Sequence, residues 1–394
     1  MCERRFAAFG VAGHQPSSAK LKSNGLITIK SLVFAGGGTG GHLTPGLAVA
    51  ETVLLRHPDV RIEFWGTDRP VERQILGRDT QRESAPRFEH RTLPAESLSK
   101  LVRSPFKFLT ANLRACRLAA RWLRERRPDA VVGLGGFACA PVVWAARRQR
   151  IPVMLLEQNV VPGRSVRWLS HWADRVCVSF PDTLPHVKNG IVTGNPVRRE
   201  IVGLYEHPAP KLMPISMLIL GGSLGAQPLN QALIALVEQR PALFAGVRVV
   251  HQTGATGAEA VRAAYSQHGI DHCVEPFFHD MAAHYREATL LVARAGATTL
   301  AEAACAGLPA VLVPYPQAAE NHQAANAAVY AKAGAALVVP QAPTARQTAL
   351  ALEPALQPWL TESSLLKSAA TAMRQQANPE AASRVIAVLD EIVR

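Results

Sequence analysis

A glycine-rich turn set between a strand and a helix N-terminus occurs twice in this chain, and that duplication restricts the fold more than any other feature. The first copy, GGGTGGHLTPG from Gly36 to Gly46, follows a β-branched and apolar run at Leu26 to Ala35. It leads into PGLAVAETVLL, whose apolar residues recur at helical spacing. Thr44 is expected to cap that helix and Pro45 to stand in its first turn. The second copy, MLILGGSLGAQPLNQALIAL from Met217 to Leu236, again reads strand, glycine turn, Pro-started helix. Glycines let backbone N–H groups approach a phosphate and the helix end adds partial positive charge, so each copy is a candidate anion site.

Around both turns, short apolar runs alternate with helical patterns. Strands are expected at Ile62–Gly66, Ala130–Leu134, Val153–Leu156 and Val176–Ser179, then at Ile215–Leu220, Val247–Gln252, Leu290–Ala293, Ala310–Val313 and Ala336–Val339. The repeat goes deeper than the turns, because PDAVVGLGGFACAPVVWAARRQRIPVMLLEQN and ATLLVARAGATTLAEAACAGLPAVLVPYPQ share one plan of strand, glycine turn, helix and strand. Such alternation gives an α/β fold with two doubly wound Rossmann-like domains, the carboxyl ends of their strands facing a common cleft. Proline and charge in YEHPAPKLMP, Tyr205 to Pro214, mark the expected linker. The expected division is a tail at residues 1–24, a first domain at 25–205 and a second at 206–394, whose last helix is free to pack back on the first domain.

Composition limits the function. The net charge of +13 points to an anionic partner: nucleic acid, a membrane leaflet or a phosphorylated substrate. The six cysteines are scattered without a CxxC pair, as buried small residues in a reducing compartment would be. No apolar run reaches the roughly 18 to 20 residues of a spanning helix. Ser99 to Arg127 mixes leucines and aromatic residues with nine lysines and arginines, which suits an interfacial contact with anionic lipid. An ordinary core helix with a basic outer face is the plainer alternative.

Several motifs compete. Gly36, Gly38 and Gly41 satisfy G-x-G-x-x-G with Asp68 after the next strand, as in dinucleotide dehydrogenases, but no hydride-handling constellation accompanies them. Gly221 to Gly225 spells G-x-S-x-G, the turn of a hydrolase nucleophile, or else an anion cradle in which the Ser223 hydroxyl takes part. No Lys-Ser or Lys-Thr pair follows either turn, and neither Asp-x-Asp nor HExxH occurs. A diphosphate would then be neutralised by helix N-termini and arginines, with Arg198 and Arg294 as candidates. Glu302 in RAGATTLAEAACAG is expected in the first turn of a helix, where a carboxylate accepts from a ribose diol. Glu320, Asn321, His322 and Gln323 follow a strand as candidate hexose partners. His42 closes the first turn, either as a capping histidine or as a base facing the cleft.

Taken in order, GGTGGHLTPGLAVA, GLGGFACAP, EQN at Glu157–Asn159, TGNPVR, GGSLGAQ, ARAGATTLAEAACAGLPAVLVPYP and ENHQAANA closely resemble the MurG glycosyltransferases from about Leu26 onward. The resemblance implies a GT-B fold and metal-independent, inverting transfer of N-acetylglucosamine from UDP-N-acetylglucosamine to lipid I, an undecaprenyl-linked acceptor, which yields lipid II for peptidoglycan. It also implies peripheral attachment to an anionic membrane surface, the cytoplasmic face of the inner membrane, with no cofactor and no nucleic acid. Carried over by motif, the donor would meet Thr39, Gly40, Gly41, Asn159, Arg198, Ser223, Phe278, Ala297, Thr298, Thr299, Leu300, Ala301, Glu302, His322 and Gln323. Glu302 would take the ribose and Ser223 the diphosphate. His42, or secondarily Glu157, would deprotonate the acceptor hydroxyl. Leu156 stands where many relatives carry histidine, LPAESLSK replaces a glycine- and lysine-rich loop, and Phe137 replaces an aromatic hydroxyl. The alternatives are another UDP-sugar enzyme of this fold, such as a glycolipid glycosyltransferase or a UDP-N-acetylglucosamine 2-epimerase, and an anion-binding regulatory protein.

Overall fold

The computed structural model describes residues 29–38, 40–78, 88–97, 100, 104–206, 214–222 and 225–394. The expectations for the tail, for Thr39 and Ser223, and for parts of the linker and of LPAESLSK fall outside those residues. Among the described residues the strands form two fully parallel sheets. The first runs β3-β2-β1-β4-β5-β6-β7, from β1 (Ser31–Ala35), β2 (Arg61–Gly66), β3 (Glu89–Thr92), β4 (Ala130–Gly133), β5 (Val153–Glu157), β6 (Arg175–Val178) and β7 (Gly190–Val192). The second runs β10-β9-β8-β11-β12-β13, from β8 (Ser216–Leu220), β9 (Arg248–Gln252), β10 (His272–Glu275), β11 (Leu290–Ala293), β12 (Ala310–Leu312) and β13 (Ala336–Val338). Each order reverses direction beside its first strand, and at that switch point the glycine turn opens toward the cleft.

Helices cover both faces of each sheet, so the central strands are buried along their whole length, as parallel strands require. On one face of the first sheet Leu32, Phe34 and Val132 pack with Leu47 and Val53 of the Gly40–Arg56 helix. On the other, Val33, Val131 and Leu155 meet Ala119 and Leu123 of the Pro105–Arg126 helix and Val142 of the Cys139–Arg148 helix.

The chain changes domain earlier than the sequence suggests. The Arg199–Glu206 helix follows the first sheet, yet its Ile201 and Leu204 pack with Leu300, Ala303 and Tyr285 of the second domain. By packing, the crossing lies just before that helix, ahead of the Tyr205–Pro214 stretch. The Ala381–Val393 helix crosses back and sets Val385, Ile386 and Leu389 into the first domain's core. Burying each such side chain contributes about 1.5–3 kcal/mol, so the chain end is fastened firmly to the domain in which the chain began. The two crossings run side by side, with a Cβ built on Gly194 falling 2.7 Å from that of Asn378.

Candidate active site

The first glycine turn is followed by a helix that begins at Gly40, five residues before Pro45. Pro45 therefore lies inside the helix and Thr44 is not its cap. A proline at this place has no N–H to offer the carbonyl four residues earlier, which is that of Gly41. That carbonyl instead accepts from the Thr298 hydroxyl of the other domain at 3.1 Å. The N-termini of two helices, one from each domain, thus meet across the cleft.

Glu72 lies beneath this turn, fully buried, its carboxylate against Gly37. It accepts from the Thr67 N–H at 2.7 Å and from the Thr67 hydroxyl at 2.5 Å. Burial alone would push its carboxyl up; the facing His90 and the bonds from Thr67 and the Gly38 backbone outweigh that and hold it below the ordinary range. An ionised carboxylate so satisfied fixes the turn from below. Arg69 donates to the Gly38 carbonyl at 3.1 Å and stacks over Phe137 at 5.2 Å.

His42 projects from the first turn of the Gly40–Arg56 helix and lies half-buried against Gly135. Gly135 has φ +90°, and a Cβ there would come within 3.1 Å of the His42 ring, so glycine is needed both for the backbone and for the histidine's seat. Burial, and secondarily the nearby His322, lower the His42 imidazole to about 4. It is a neutral ring at physiological pH.

Glu157 ends β5 and is buried. One oxygen accepts from the Asn159 N–H at 2.9 Å and from the Asn159 amide at 3.1 Å; the other accepts from the Gly163 N–H at 2.9 Å. Burial raises its carboxyl, and these bonds only partly offset the rise. Both oxygens are engaged within its own loop, which suits shaping that loop better than taking a proton.

Glu302 is the sixth residue of the Ala297–Ala306 helix, so it sits in the second turn and not in the first. The helix starts directly after Gly296, which moves Glu302 inward, to 6% exposure. Its oxygens accept from Arg198 at 3.1 Å and from the Tyr285 hydroxyl at 3.1 Å. Tyr285 is pushed well up, by burial first and by the Glu302 charge second. The Arg198 guanidinium loses by burial and gains more from Glu302 and Glu200, so it stays charged, with its Nε buried and without a hydrogen-bond partner.

The remaining candidates divide. Arg294 is engaged within the protein: it donates to the Val313 carbonyl at 2.9 Å and to Gln341 at 2.5 Å, bracing strand ends. Glu320 pairs across the cleft with Arg164 at 2.8 Å and with Arg167. Gln323 accepts from the Tyr315 N–H at 2.9 Å, and His322 contacts the Ala319 carbonyl at 2.7 Å. The run Glu320 to Gln323 is thus largely engaged within the protein and does not present four free polar groups. Phe278 is buried with its ring 4.0 Å from that of His284, and its N–H donates to Gln252 at 3.0 Å. Ala297 and Leu300 are buried, while Thr299 and Ala301 are half-buried on the same helix. Gly40 is buried and Gly41 exposed at the opening of the cleft.

Two segments of the chain match domains of glycosyltransferase family 28: the N-terminal domain over residues 32–178 and the C-terminal domain over residues 216–385. The chain is 37% identical over 367 residues to the UDP-N-acetylglucosamine–N-acetylmuramyl-(pentapeptide) pyrophosphoryl-undecaprenol N-acetylglucosamine transferase of Desulfotalea psychrophila, spanning 92% of this chain and 97% of that protein. Against the transferase of the same name from Acidithiobacillus ferrooxidans it is 40% identical over 369 residues, again 92% and 97% of the two chains. The crystal structure of Acinetobacter baumannii MurG superposes with a TM-score of 0.69 at 32% identity, over 92% of this chain and 99% of that one. The chain belongs to the MurG family. Its two facing parallel-sheet domains are the GT-B fold of that family. A UDP-N-acetylglucosamine 2-epimerase from Neisseria meningitidis shares the fold alone, with a TM-score of 0.64 at 14% identity over 92% of this chain and all of that one.

Sequence reasoning missed Glu72, Tyr285 and Asn326. Neither Glu72 nor Tyr285 lies in a motif, so neither gave a signal. Asn326 sat within a quoted motif, but its role depends on how the domains approach.

Proposed function

We propose that the chain transfers N-acetylglucosamine from UDP-N-acetylglucosamine to the 4-hydroxyl of lipid I with inversion, releasing UDP and lipid II for peptidoglycan. The observation that carries this reading is the buried Glu302, braced by Arg198 and Tyr285 at the cleft end of the second sheet, in a chain related along nearly its whole length to transferases named for that reaction. Each Glu302 oxygen accepts one bond within the protein and retains capacity for one ribose hydroxyl. The N-terminus of the Ala297–Ala306 helix and the turn containing Ser223 would receive the diphosphate.

His42 is the general base. It is neutral in the empty cleft, and the arriving diphosphate would raise its affinity for a proton, which makes it a better base at the moment it is needed. As it takes the acceptor's hydroxyl proton, the oxygen attacks the anomeric carbon opposite the leaving group. The bond from that carbon to the phosphate oxygen breaks, and its electron pair leaves with UDP. Glu157 orients Asn159, which with Gly40 and Gly41 would frame the sugar.

The acceptor is held in a membrane, and the Pro105–Arg126 helix is suited to reach it. Phe106, Leu109 and Leu113 are exposed among Lys107, Arg114 and Arg117, and Arg148 stacks over the exposed Trp144 on the neighbouring helix at 4.8 Å. Among the described residues no helix is long and apolar enough to cross a membrane. Apolar side chains ringed by arginines insert at a headgroup boundary, and we place this surface on the cytoplasmic face of the inner membrane.

The test is UDP release and disaccharide formation from UDP-N-acetylglucosamine in chelator, with and without a short-chain lipid I analogue. Release that depends on the analogue supports the assignment. Conversion of the donor without any acceptor would assign an epimerase instead, and donor binding without turnover would assign a regulator.

A further inference from the structure

Asn326, in the His322–Lys332 helix of the second domain, is completely buried. Its side-chain oxygen accepts from the Val160 N–H at 3.0 Å. Its amide nitrogen donates to the Asn159 side-chain oxygen at 3.0 Å and to the Ala295 carbonyl at 3.2 Å. Two of these partners lie in the first domain, one residue and two residues after EQ in EQN. The third directly precedes Gly296, where the Ala297–Ala306 helix begins.

The orientation is forced by the backbone. Val160 N–H can only donate and the Ala295 carbonyl can only accept, so the Asn326 amide has one possible sense. Asn159 must then turn its oxygen to Asn326 and its nitrogen to Glu157. One of the two Asn159 N–H bonds goes to Glu157. The other has no hydrogen bond to the protein among the described residues, on a side chain that is only half-buried.

We infer that Asn326 is a positioning residue that locks the Asn159 amide with its oxygen turned to Asn326 and its remaining N–H left to donate to a ligand, and that this lock closes only when the two domains are apposed. The inference rests on the reading of the cleft as the transferase site. The ligand group that Asn159 meets is therefore an acceptor, a hydroxyl or acetamido oxygen of a sugar. UDP alone, held by the second domain at Glu302, does not sense the lock. The sequence Glu157–Asn159–Asn326–Ala295 thereby ties the loop after β5 in the first domain to the helix that would receive the donor.

Asn326→Leu keeps the volume and removes all three bonds. Asn326→Ala serves if the leucine variant fails to melt cooperatively. Either should lower kcat/KM for UDP-N-acetylglucosamine roughly 10- to 100-fold, the usual range for losing a buried, oriented hydrogen bond. UDP affinity should stay within about threefold, since no contact to the nucleotide changes. In an Asn159→Ala background the same substitution should cost no further activity. Equal losses of UDP affinity and turnover would overturn the inference by showing a structural role. So would an undiminished effect in the Asn159→Ala background, or wild-type activity in both Asn326 variants. Failure of the wild-type protein to transfer sugar at all would instead remove the transferase reading itself.

Discussion

Glu302 braces two buried partners and is proposed to hold the ribose, and separating the two roles is the sharpest test of the site. Its carboxylate is 6% exposed and accepts from Arg198 and Tyr285, each at 3.1 Å. Glu302→Ala leaves the Arg198 guanidinium largely buried without its hydrogen-bonded carboxylate, with only the Glu200 charge nearby, and its Nε already has no partner. Breaking a buried pair from one side costs about 3–5 kcal/mol. Replacing both members by apolar residues of similar size, Glu302→Leu with Arg198→Met, removes the stranded charge and should recover most of that loss, the buried Tyr285 hydroxyl still costing about 1–3 kcal/mol for its missing acceptor. Donor affinity should behave differently. Losing the charged bonds to a ribose diol costs about 1.5–3 kcal/mol, and the double variant regains none of it. Urea unfolding and UDP titration on the three proteins read the two quantities independently. A Glu302→Ala protein within about 1 kcal/mol of wild type would refute the buried-pair argument. A double variant that binds UDP like wild type would refute the ribose assignment.

His42, lowered to about 4 in the empty cleft, predicts that kcat/KM for UDP-N-acetylglucosamine, which reports the free enzyme, falls only as pH drops toward that value, and an acid limb near the ordinary 6.5 would contradict the assignment. His251 is buried between the Tyr265 hydroxyl at 2.9 Å and Asn230 at 3.1 Å, and burial holds it at about 3 against 6.5 when unfolded. The unfolded chain therefore takes up the proton first, so stability is full above pH 6.5 and falls below it. The fall is about 1.4 kcal/mol per pH unit down to the folded value. His251→Gln should show a shallower decline of unfolding free energy between these limits, and an unchanged slope would assign the acid sensitivity elsewhere. Phe106→Ser with Leu109→Ser should weaken binding to anionic vesicles several-fold while leaving turnover of a water-soluble acceptor intact. Unaltered vesicle binding would detach this helix from the membrane.

What the sequence revealed was local, and what it hid was long-range. The strands with continuous apolar runs were readable because parallel strands buried on both faces need such runs. Polar β3, EHRT, and half-polar β10, HCVE, sit at sheet edges and carry no such pattern. The glycine turns were legible, but their helix starts were not. Pro45 suggested a start that lies five residues earlier, and Glu302 moved from the first turn to the second for a similar reason. Its partners Arg198 and Tyr285 come from distant segments, and no spacing rule joins them. The same holds for Glu320, which resembled a sugar ligand until Arg164 and Arg167 met it across the cleft.

Pro45 gives the closed molecule an unusual economy. In most helices a carbonyl recruited by an outside partner must weaken or share its own ladder bond, so docking and helix integrity compete. Here the Gly41 carbonyl is released by a residue that could never have bonded it, and Thr298 engages it without competition. The contact between the domains at this point therefore draws nothing from the helix ladder, so losing it would leave every backbone bond of the Gly40–Arg56 helix in place.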